Sequence, residues 1–469
     1  MIARLALRLT AWTERWIPDA FIFALLATVL VVVAALTATP ATFAQVVDAW
    51  GNGFWDLIPF TLQMSLIIIT GHVLATSGPM RRLIRTIAGW PQSPRHAVAL
   101  VTFFALVSSW FNWGFSLIFS AVLAMEVARR VKGVDYRALA AASFLGIGSI
   151  WAQGLSGSAA LQMATPGALQ PQIREIVAAG GLVPGGIIPF RDTIFLWQSI
   201  VSVLVEIVVV TLVMWLATPP PEKAKTAQDL GIGLAEDEPG AQVEARAHNR
   251  QIPPGAWLEH SSLLTVIVVA LGIAFLVRYF ARATEPLNAI TINTVNFAFL
   301  LMGFALHRTP ARLMRAVQDA TPAVWGVILQ FPFYAGIAAV ITNTHLNERL
   351  ASAFVNISTA GTFPAVVAIY SAVLGVFVPS GGSKWVIEAP YVMAAAHQLK
   401  VHLGWVVAAY DLGEALANLV QPFWMLPILG MFGLRARDVM GYTFVVFLAL
   451  TPVVIVLVTV LGWTLPYPL

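Results

Sequence analysis

Long apolar runs dominate this chain, and they dictate a fold built inside a membrane. Eleven runs can be read along the sequence: 20–38, 57–77, 98–128, 138–166, 193–216, 261–277, 288–306, 320–342, 362–398, 403–429 and 441–463. A helix needs about 20 apolar residues to cross a bilayer, and several runs reach or approach that length. With 58% hydrophobic and 11% charged residues, the composition predicts an all-α polytopic membrane protein.

Two of these runs contain short segments that cannot remain helical in lipid. The run 362–398 includes the sequence PSGGSK at 379–384, and the run 98–128 includes NWG at 112–114. Non-helical backbone at membrane depth is stable only where protein covers it or water reaches it. In the run 98–128 each arm has about 14 residues, which is too short to cross. We therefore expect two re-entrant hairpins; an ordinary extramembrane turn is the alternative for the stretch 377–390.

The basic residues set the topology, because cytoplasmic loops of membrane proteins are rich in Lys and Arg. If each hairpin enters and leaves on one side, the segments expected in the cytoplasm hold 20 of the 27 Lys and Arg residues, and the outer loops hold 6. Counting either hairpin as a full span weakens this bias. The pattern predicts a cytoplasmic N-terminus and a periplasmic C-terminus, with the first hairpin entering from the cytoplasm and the second from outside.

Each half of the chain then consists of a span, a span, a hairpin, a broken span and a span. An odd number of spans separates the two starts, so the second half is expected to be inverted, an arrangement that places substrate and ions near the midplane. We expect an interfacial helix at 1–19, a first repeat at 20–216 with hairpin 98–128, a cytoplasmic linker at 217–260, a connecting span and loop at 261–287, a second repeat at 288–463 with hairpin 362–398, and a tail at 464–469.

Four breaks in the apolar runs would meet at the centre of such a fold: 112–114, 156–158, 380–383 and 413–421. Half-helix N-termini offer free N–H groups and a partial positive charge, which suit a carboxylate. The alternative is that small residues here only allow close helix packing. The candidate substrate-binding residues are Asn112, Trp113, Gly114, Ser156, Gly157, Ser158, Ser380, Gly381, Gly382, Ser383, Lys384, Trp385 and Asn418.

Intramembrane acids form a second group of candidates, because an ionised carboxylate at the bilayer centre costs roughly 2.5–3.5 kcal/mol or more. Asp411, Glu414, Asn418 and Gln421 recur at helical spacing and share one face. Glu414 is the best candidate for a coupling-ion ligand or proton carrier, with Asp411 and Gln421 beside it. The alternative for Asp411 is a charge placed at a helix N-terminus.

Lys384 and Glu388 lie one helical turn apart, so they can pair with each other. Alternatively, Lys384 offers a cation to an anionic substrate. Glu206 forms a polar stripe with Ser199 and Ser202 in the run 193–216, and we assign this stripe a packing role.

The composition also excludes several classes of function. The chain has no cysteine, so disulfides and thiolate sites are excluded. No nucleophile triad, phosphate loop or His/Glu metal cluster is found in the sequence, which predicts neither an enzyme nor a cofactor. The net charge of +4 comes from basic residues in short loops, a pattern that does not indicate nucleic-acid binding.

Motifs throughout the chain resemble those of the bacterial short-chain fatty acid transporter family. They are WGNGFWDLIPF at 50–60, ITGHVLATSGP at 69–79, NWGF at 112–115, SGS at 156–158, ITINTVN at 290–296, QFPFYAGI at 330–337, VPSGG at 378–382 and NLVQPFW at 418–424. Members of that family commonly continue PSGG with Gly and an uncharged or weakly basic polar residue, whereas this chain has Ser383 and Lys384, followed by Glu388.

This resemblance implies uptake of small monocarboxylates, such as acetoacetate or butyrate, across a bacterial inner membrane. It also implies kinship with carriers that have two hairpins, a scaffold domain and an elevator-like movement, usually as homodimers. On this reading the coupling ion is H⁺ or Na⁺, and Trp113 and Trp385 cover the apolar tail of the substrate. A symporter for another organic anion, such as a dicarboxylate, and a carboxylate channel are the alternatives.

Overall fold

The computed structural model describes residues 20–234, 256–283, 286–378, 380–421 and 423–469. Its described residues form helices and no strands, which confirms the all-α class. The interfacial helix expected at 1–19 lies outside the described residues, and so does the part of the expected linker at 235–255.

The helices of the first half follow the apolar runs. They are α1 (Ala20–Ala38), α2 (Phe43–Gly53), α3 (Ile58–Ala75), α4 (Gly78–Ile87), α5 (Pro94–Phe111), α6 (Trp113–Arg130), α7 (Tyr136–Leu145), α8 (Ser158–Ala164), α9 (Pro171–Val177) and α10 (Trp197–Ala217).

A connecting helix, α11 (Leu263–Arg282), leads to the second half. Its helices are α12 (Ile292–His307), α13 (Pro310–Ala320), α14 (Trp325–Asn343), α15 (Leu346–Ile357), α16 (Phe363–Phe377), α17 (Gly381–Leu399), α18 (Leu403–Asn418), α19 (Leu426–Phe432) and α20 (Ala436–Gly462).

Burial separates helices that face lipid from helices enclosed by protein. Among the described residues, six helical segments are long and apolar enough to cross a membrane: α3, α7 with α8, α10, α11, α14 and α20. Only 11% of the apolar stretch in α11 is buried inside the protein, against 94% in the segment formed by α7 and α8. The interrupted helix therefore lies at the centre, and α11 lies at the periphery.

Helices α5 and α6 form a hairpin whose turn is at Asn112. The rings of Phe104 and Phe119 lie tilted against each other with their centres 6.4 Å apart, and the Ser116 hydroxyl donates to the carbonyl of Ala105 at 2.7 Å, so the two arms run back along one another. The hairpin covers 94–130, beyond the apolar run 98–128 at both ends. The C-terminal extension is polar and is stabilised on its surface, where Glu126 accepts hydrogen bonds from Arg129 and Arg130.

Helices α16 and α17 form the second hairpin, whose turn lies between Phe377 and Gly381. Two contacts join its arms. The Lys384 ammonium donates to the carbonyl and the hydroxyl of Ser371, both at 2.6 Å. The hydroxyls of Tyr370 and Tyr391 are 3.1 Å apart. This second tip is held by polar side chains on its own arms.

The structure corrects the expected break at 413–421. Helix α18 continues through Gly413 and Glu414 to Asn418, and only the following residues leave the helix. A Cβ atom at Gly413 would lie 2.8 Å from the Cα and the carbonyl carbon of Ala368. The glycine therefore lets α16 and α18 approach closely, and it does not interrupt the helix.

The helices of the two halves interlock. Helices α1 and α2 pack against α14 of the other half, and α12 and α13 pack against α3. Helices α10 and α20, which end the two halves, pack against each other. The first hairpin contacts α3 and the second contacts α14, so α3 and α14 form a common wall that faces both tips. The inverted orientation of the second half remains a prediction.

The close approach at Gly413 generates a stability prediction. Gly413→Ala should lower the thermal unfolding temperature of the detergent-purified protein, because overpacking a tight contact costs about 1–3 kcal/mol. The control is Gly441→Ala on α20, where nothing lies within 4 Å of the added Cβ; it should unfold at the wild-type temperature or above. Equal unfolding temperatures for the two variants would contradict the packing role of Gly413.

Candidate functional site

A narrow cavity lies where the two hairpin tips and the two interrupted helices meet the wall formed by α3 and α14. Its empty space, open mouth included, is about 410 Å³. It is lined by Met64, Ile68, Trp113, Ile147, Trp151, Ser158, Val327, Phe331, Ser380, Gly381, Gly382, Asn418 and Trp424. None of these lining residues carries a charge, so the wall is apolar with a few polar groups.

Six residues predicted from the sequence to bind substrate lie on this wall: Trp113, Ser158, Ser380, Gly381, Gly382 and Asn418. They come from both tips and from both breaks. Seven other lining residues were not predicted from the sequence to bind substrate: Met64, Ile68, Ile147, Trp151, Val327, Phe331 and Trp424. Trp113 makes T-shaped, edge-to-face contacts with Trp151 and Trp424, so three indole rings form one side of the cavity.

The polar groups on the wall are mainly hydrogen-bond donors. Within the described residues, the indole N–H groups of Trp113 and Trp151 are buried and have no acceptor. Ser380 is the N-cap of α17, and its side chain makes no capping hydrogen bond to that helix. The start of α17, at Gly381 and Gly382, therefore presents backbone N–H groups and the positive end of the helix dipole beside the cavity.

The glycines of the second tip are needed because other groups approach them closely. A Cβ at Gly381 would lie 2.7 Å from the ring of Trp151, and a Cβ at Gly382 would lie 3.0 Å from the ring of Phe60. The carbonyl of Gly381 accepts a hydrogen bond from the Tyr410 hydroxyl. The carbonyl of Gly382 accepts one from Gln162 at 2.8 Å. Tyr410 and Gln162 thus fix the tip, although no local sequence signal marked them.

Four predicted residues of the first half hold the structure of the first tip and do not line the cavity. The backbone N–H of Trp113 donates to the Ser156 hydroxyl at 2.9 Å, and Asn112 caps α6 through the N–H of Phe115 at 2.8 Å. Gly114 packs on the backbone of α3 at Ile67 and Ile68, and Gly157 turns the chain tightly against Ala152. These residues position Trp113 and Ser158.

Lys384 lies behind the second tip in a closed cluster of oxygen atoms. Its Nζ is 2.6 Å from Glu414 Oε2 and 3.4 Å from Glu388 Oε1, and it lies 4.6 Å from the centre of the Tyr410 ring. The side chains of Lys384, Glu388 and Glu414 are all 0% exposed. Lys384 therefore pairs with two carboxylates, as the helical spacing allowed for Glu388, and its charge does not face the cavity.

Trp385, which is expected to cover the substrate, does not line this cavity. It is fully buried, and its ring lies tilted against that of Tyr410 with the centres 4.7 Å apart, because its position in the first turns of α17 directs it to α18. Ser383 is placed in the first turn of α17, but its side chain lies outside the described residues.

The other acidic and amide candidates lie on α18 or just after it. The side-chain amide of Gln421 donates to the side-chain oxygen Oδ1 of Asn418 at 2.7 Å, and the side-chain amide of Asn418 donates to the backbone carbonyl of Ile147 at 3.1 Å. Asp411 is buried and accepts a hydrogen bond from the backbone N–H of Ala160 in α8. These contacts tie α18 to the interrupted helix of the first half.

Glu206 also finds a buried partner, away from the cavity. Its carboxylate accepts a hydrogen bond from Gln153 at 2.7 Å, while Ser199 and Ser202 donate to backbone carbonyls at 2.6 Å and 3.0 Å. The polar stripe of α10 thus joins α10 to the interrupted helix.

The fold and the cavity define a class of protein, a multi-pass helical membrane transporter. The transporter YdaH of Alcanivorax borkumensis has a similar fold, with a TM-score of 0.60 and 16% identity, covering 96% of this chain and 99% of that one. MtrF of Neisseria gonorrhoeae, whose structure illuminates a class of antimetabolite efflux pumps, has a TM-score of 0.59 and 13% identity, with 98% of each chain covered. At this identity the likeness concerns the fold alone.

The chain belongs to the short-chain fatty acid transporter family. The model of the family described as "Short chain fatty acid transporter" matches residues 1–461. A protein of Escherichia coli K12, provisionally named a short-chain fatty acid transporter, is 41% identical over 446 residues, which are 94% of this chain and 96% of that protein. A protein of Haemophilus influenzae Rd with the same name is 35% identical over 456 residues, 97% of this chain and 99% of that protein. The resemblance found in the sequence is confirmed.

Two serines separated by one residue provide a test of the site geometry. Ser156→Ala should lower the thermal unfolding temperature, because it leaves the buried backbone N–H of Trp113 without its acceptor at a cost of about 1–3 kcal/mol. Ser158→Ala should leave that temperature unchanged, since Ser158 lines the cavity and its hydroxyl makes no hydrogen bond that the described part of the chain shows. The opposite ranking of the two variants would overturn the assignment of Ser156 to structure and Ser158 to the cavity wall.

Proposed function

We propose that this protein takes up short-chain fatty acids or related small monocarboxylates, such as butyrate and acetoacetate, by symport with H⁺ or Na⁺ across a bacterial inner membrane. Family membership supports this assignment. The observation that carries it is the cavity itself, which combines uncharged, mainly apolar walls with the N-terminus of α17 at Gly381 and Gly382.

A carboxylate accepts hydrogen bonds and donates none, so it suits a wall of donors. In the proposed pose its oxygens lie at the N-terminus of α17, and Ser158, Ser380, Trp113 and Trp151 line the same space. Helix N-termini stabilise such anions through their N–H groups and dipole. The hydrocarbon tail then lies against Ile68 and the aromatic rings.

The same wall disfavours a dicarboxylate. A second carboxylate would need a second cationic or donor cluster, and Lys384 is already bound to Glu414 and Glu388 behind the tip. Small ligands with one charged end and an apolar remainder match the cavity better.

Alternating access completes the proposal. The cavity lies between the wall of α3 and α14 and the hairpin tips, so sliding of the tips along that wall would carry a bound carboxylate from one side to the other. The wall corresponds to a scaffold domain, and the hairpins with the interrupted helices correspond to a transport domain. We propose this elevator movement in a homodimer, with the N-terminus in the cytoplasm and the C-terminus in the periplasm.

Coupling is proposed to involve the acids of α18, Glu414 and Asp411, with the amide of Gln421 beside them. Charge added to the transport domain must be compensated before the domain can cross the membrane, because an uncompensated charge there costs several kcal/mol. A symported cation supplies that compensation for a bound carboxylate.

Uptake into proteoliposomes tests the proposed function. Labelled butyrate and acetoacetate should accumulate above equilibrium when a pH gradient or a Na⁺ gradient is imposed, and excess unlabelled succinate should not compete. Ser158→Trp should abolish accumulation by filling the cavity, whereas Gly441→Ala should retain it. Equilibration without accumulation under either gradient would indicate a channel, and no butyrate flux in a folded preparation would refute the substrate assignment.

The role of Glu414 is tested separately from substrate binding. Glu414→Gln should remove gradient-driven accumulation while keeping exchange of labelled for unlabelled butyrate, since exchange needs substrate movement but no net cation movement. Accumulation at the wild-type level in Glu414→Gln would exclude Glu414 as the coupling group.

A further inference from the structure

The ammonium of Lys384 is fully buried among oxygen atoms. Glu414 Oε2, the Ser371 carbonyl and the Ser371 hydroxyl are each 2.6 Å from Nζ, and Glu388 Oε1 is 3.4 Å away. Three helices supply these atoms: α16, α17 and α18. This shell of oxygen atoms combines carboxylate, carbonyl and hydroxyl oxygens, all of which are hard ligands, and backbone carbonyls coordinate Na⁺ in secondary carriers.

The surroundings explain why a cation is needed there. Glu388 and Glu414 are 0% exposed, and two buried carboxylates without compensation would be strongly destabilising. Asp411 lies on α18 one turn before Glu414 and adds a further acid to the same helix. Among the groups that face the Lys384 ammonium in the described structure, Tyr410 contributes its ring face.

The cation also lies directly behind the tip that lines the cavity. A Cβ at Gly381 would lie 3.1 Å from Glu414 Cγ, and a Cβ at Gly375 would lie 2.9 Å from Glu414 Oε2. The absence of side chains at both positions lets the carboxylate reach the ammonium. Tyr410, under the ammonium, also holds the Gly381 carbonyl. Occupancy of the cation position is thereby linked mechanically to the second tip.

We propose that Lys384 is a tethered cation that occupies a Na⁺-type oxygen site behind the second hairpin tip, so that the wild-type protein locks this tip without free Na⁺ at that position. Shortening the side chain would vacate the site and leave its oxygens in place. The site would then accept a free Na⁺ ion.

Thermal unfolding of Lys384→Ala in detergent tests this inference without any transport measurement. The variant should unfold several degrees higher in NaCl than in KCl or choline chloride at equal ionic strength, because an ion that binds only the folded state stabilises it. Wild-type protein should show no such difference in unfolding temperature. Lys384→Ala with Glu414→Gln should lose the Na⁺ effect, since the main ligand is gone.

Each possible result of this measurement either supports or overturns the proposed cation site. Equal unfolding temperatures of Lys384→Ala in the three salts would overturn the proposal. Failure of Lys384→Ala to fold in NaCl would overturn it too, because Na⁺ would then have failed to replace the ammonium. A sodium-specific shift of equal size in the wild type or in the double variant would place the ion elsewhere and also overturn it.

A second arm rests on the proposed function and deepens it. In proteoliposomes under an imposed pH gradient, butyrate accumulation by Lys384→Ala should require Na⁺, whereas wild-type accumulation should be the same in Na⁺ and K⁺ buffers. If neither protein transports butyrate while the sodium-specific shift of the variant is present, the substrate assignment fails and the cation site stands. If both transport identically in the two salts and the shift is absent, the cation site fails and the transport function stands.

Discussion

The structure depends on finding partners for backbone groups that the hairpin turns and helix breaks release far from water. In the first half, the Ser156 hydroxyl accepts from the backbone N–H of Trp113, and the carbonyl of Trp110 accepts from the backbone N–H of Leu155 at 2.7 Å. In the second half, Tyr410 and Gln162 donate to the carbonyls of the tip. Because unsatisfied backbone in lipid costs several kcal/mol per group, each tip must stay against the interrupted helices, and this contact builds the cavity.

Charge imposes the same kind of constraint on the other side of the second tip. One ammonium is shared by two carboxylates from different helices, so α16, α17 and α18 cannot separate without exposing a charge to lipid. Removing one member of such a cluster destabilises the fold by far more than the whole cluster contributes to stability, because a buried charge is left uncompensated. The cavity wall at Gly381 is therefore supported from behind by electrostatics and from the front by packing on Trp151.

Much of the architecture could be predicted because hydropathy and the family motifs are properties of contiguous sequence. The helical class and the family follow from them directly. The break expected at 413–421 begins only after Asn418. A glycine within an apolar run can interrupt a helix or admit a neighbouring backbone, and at Gly413 only the position of Ala368 distinguishes these cases. Likewise, the sequence pairs Lys384 with Glu388, but its closer contact with Glu414 arises from packing of separate helices.

Individual site residues were less predictable than their locations. Ser156 and Ser158 belong to one break, yet one braces the tip and the other faces the cavity, because successive residues of a non-helical turn point in different directions. Trp151 and Trp424 line the cavity, but in a chain with 16 tryptophans no local pattern distinguishes them. The sequence marks the places where the chain stops being helical. The side chains there that hydrogen-bond to the non-helical backbone hold the turn, and only the remaining ones can face the cavity.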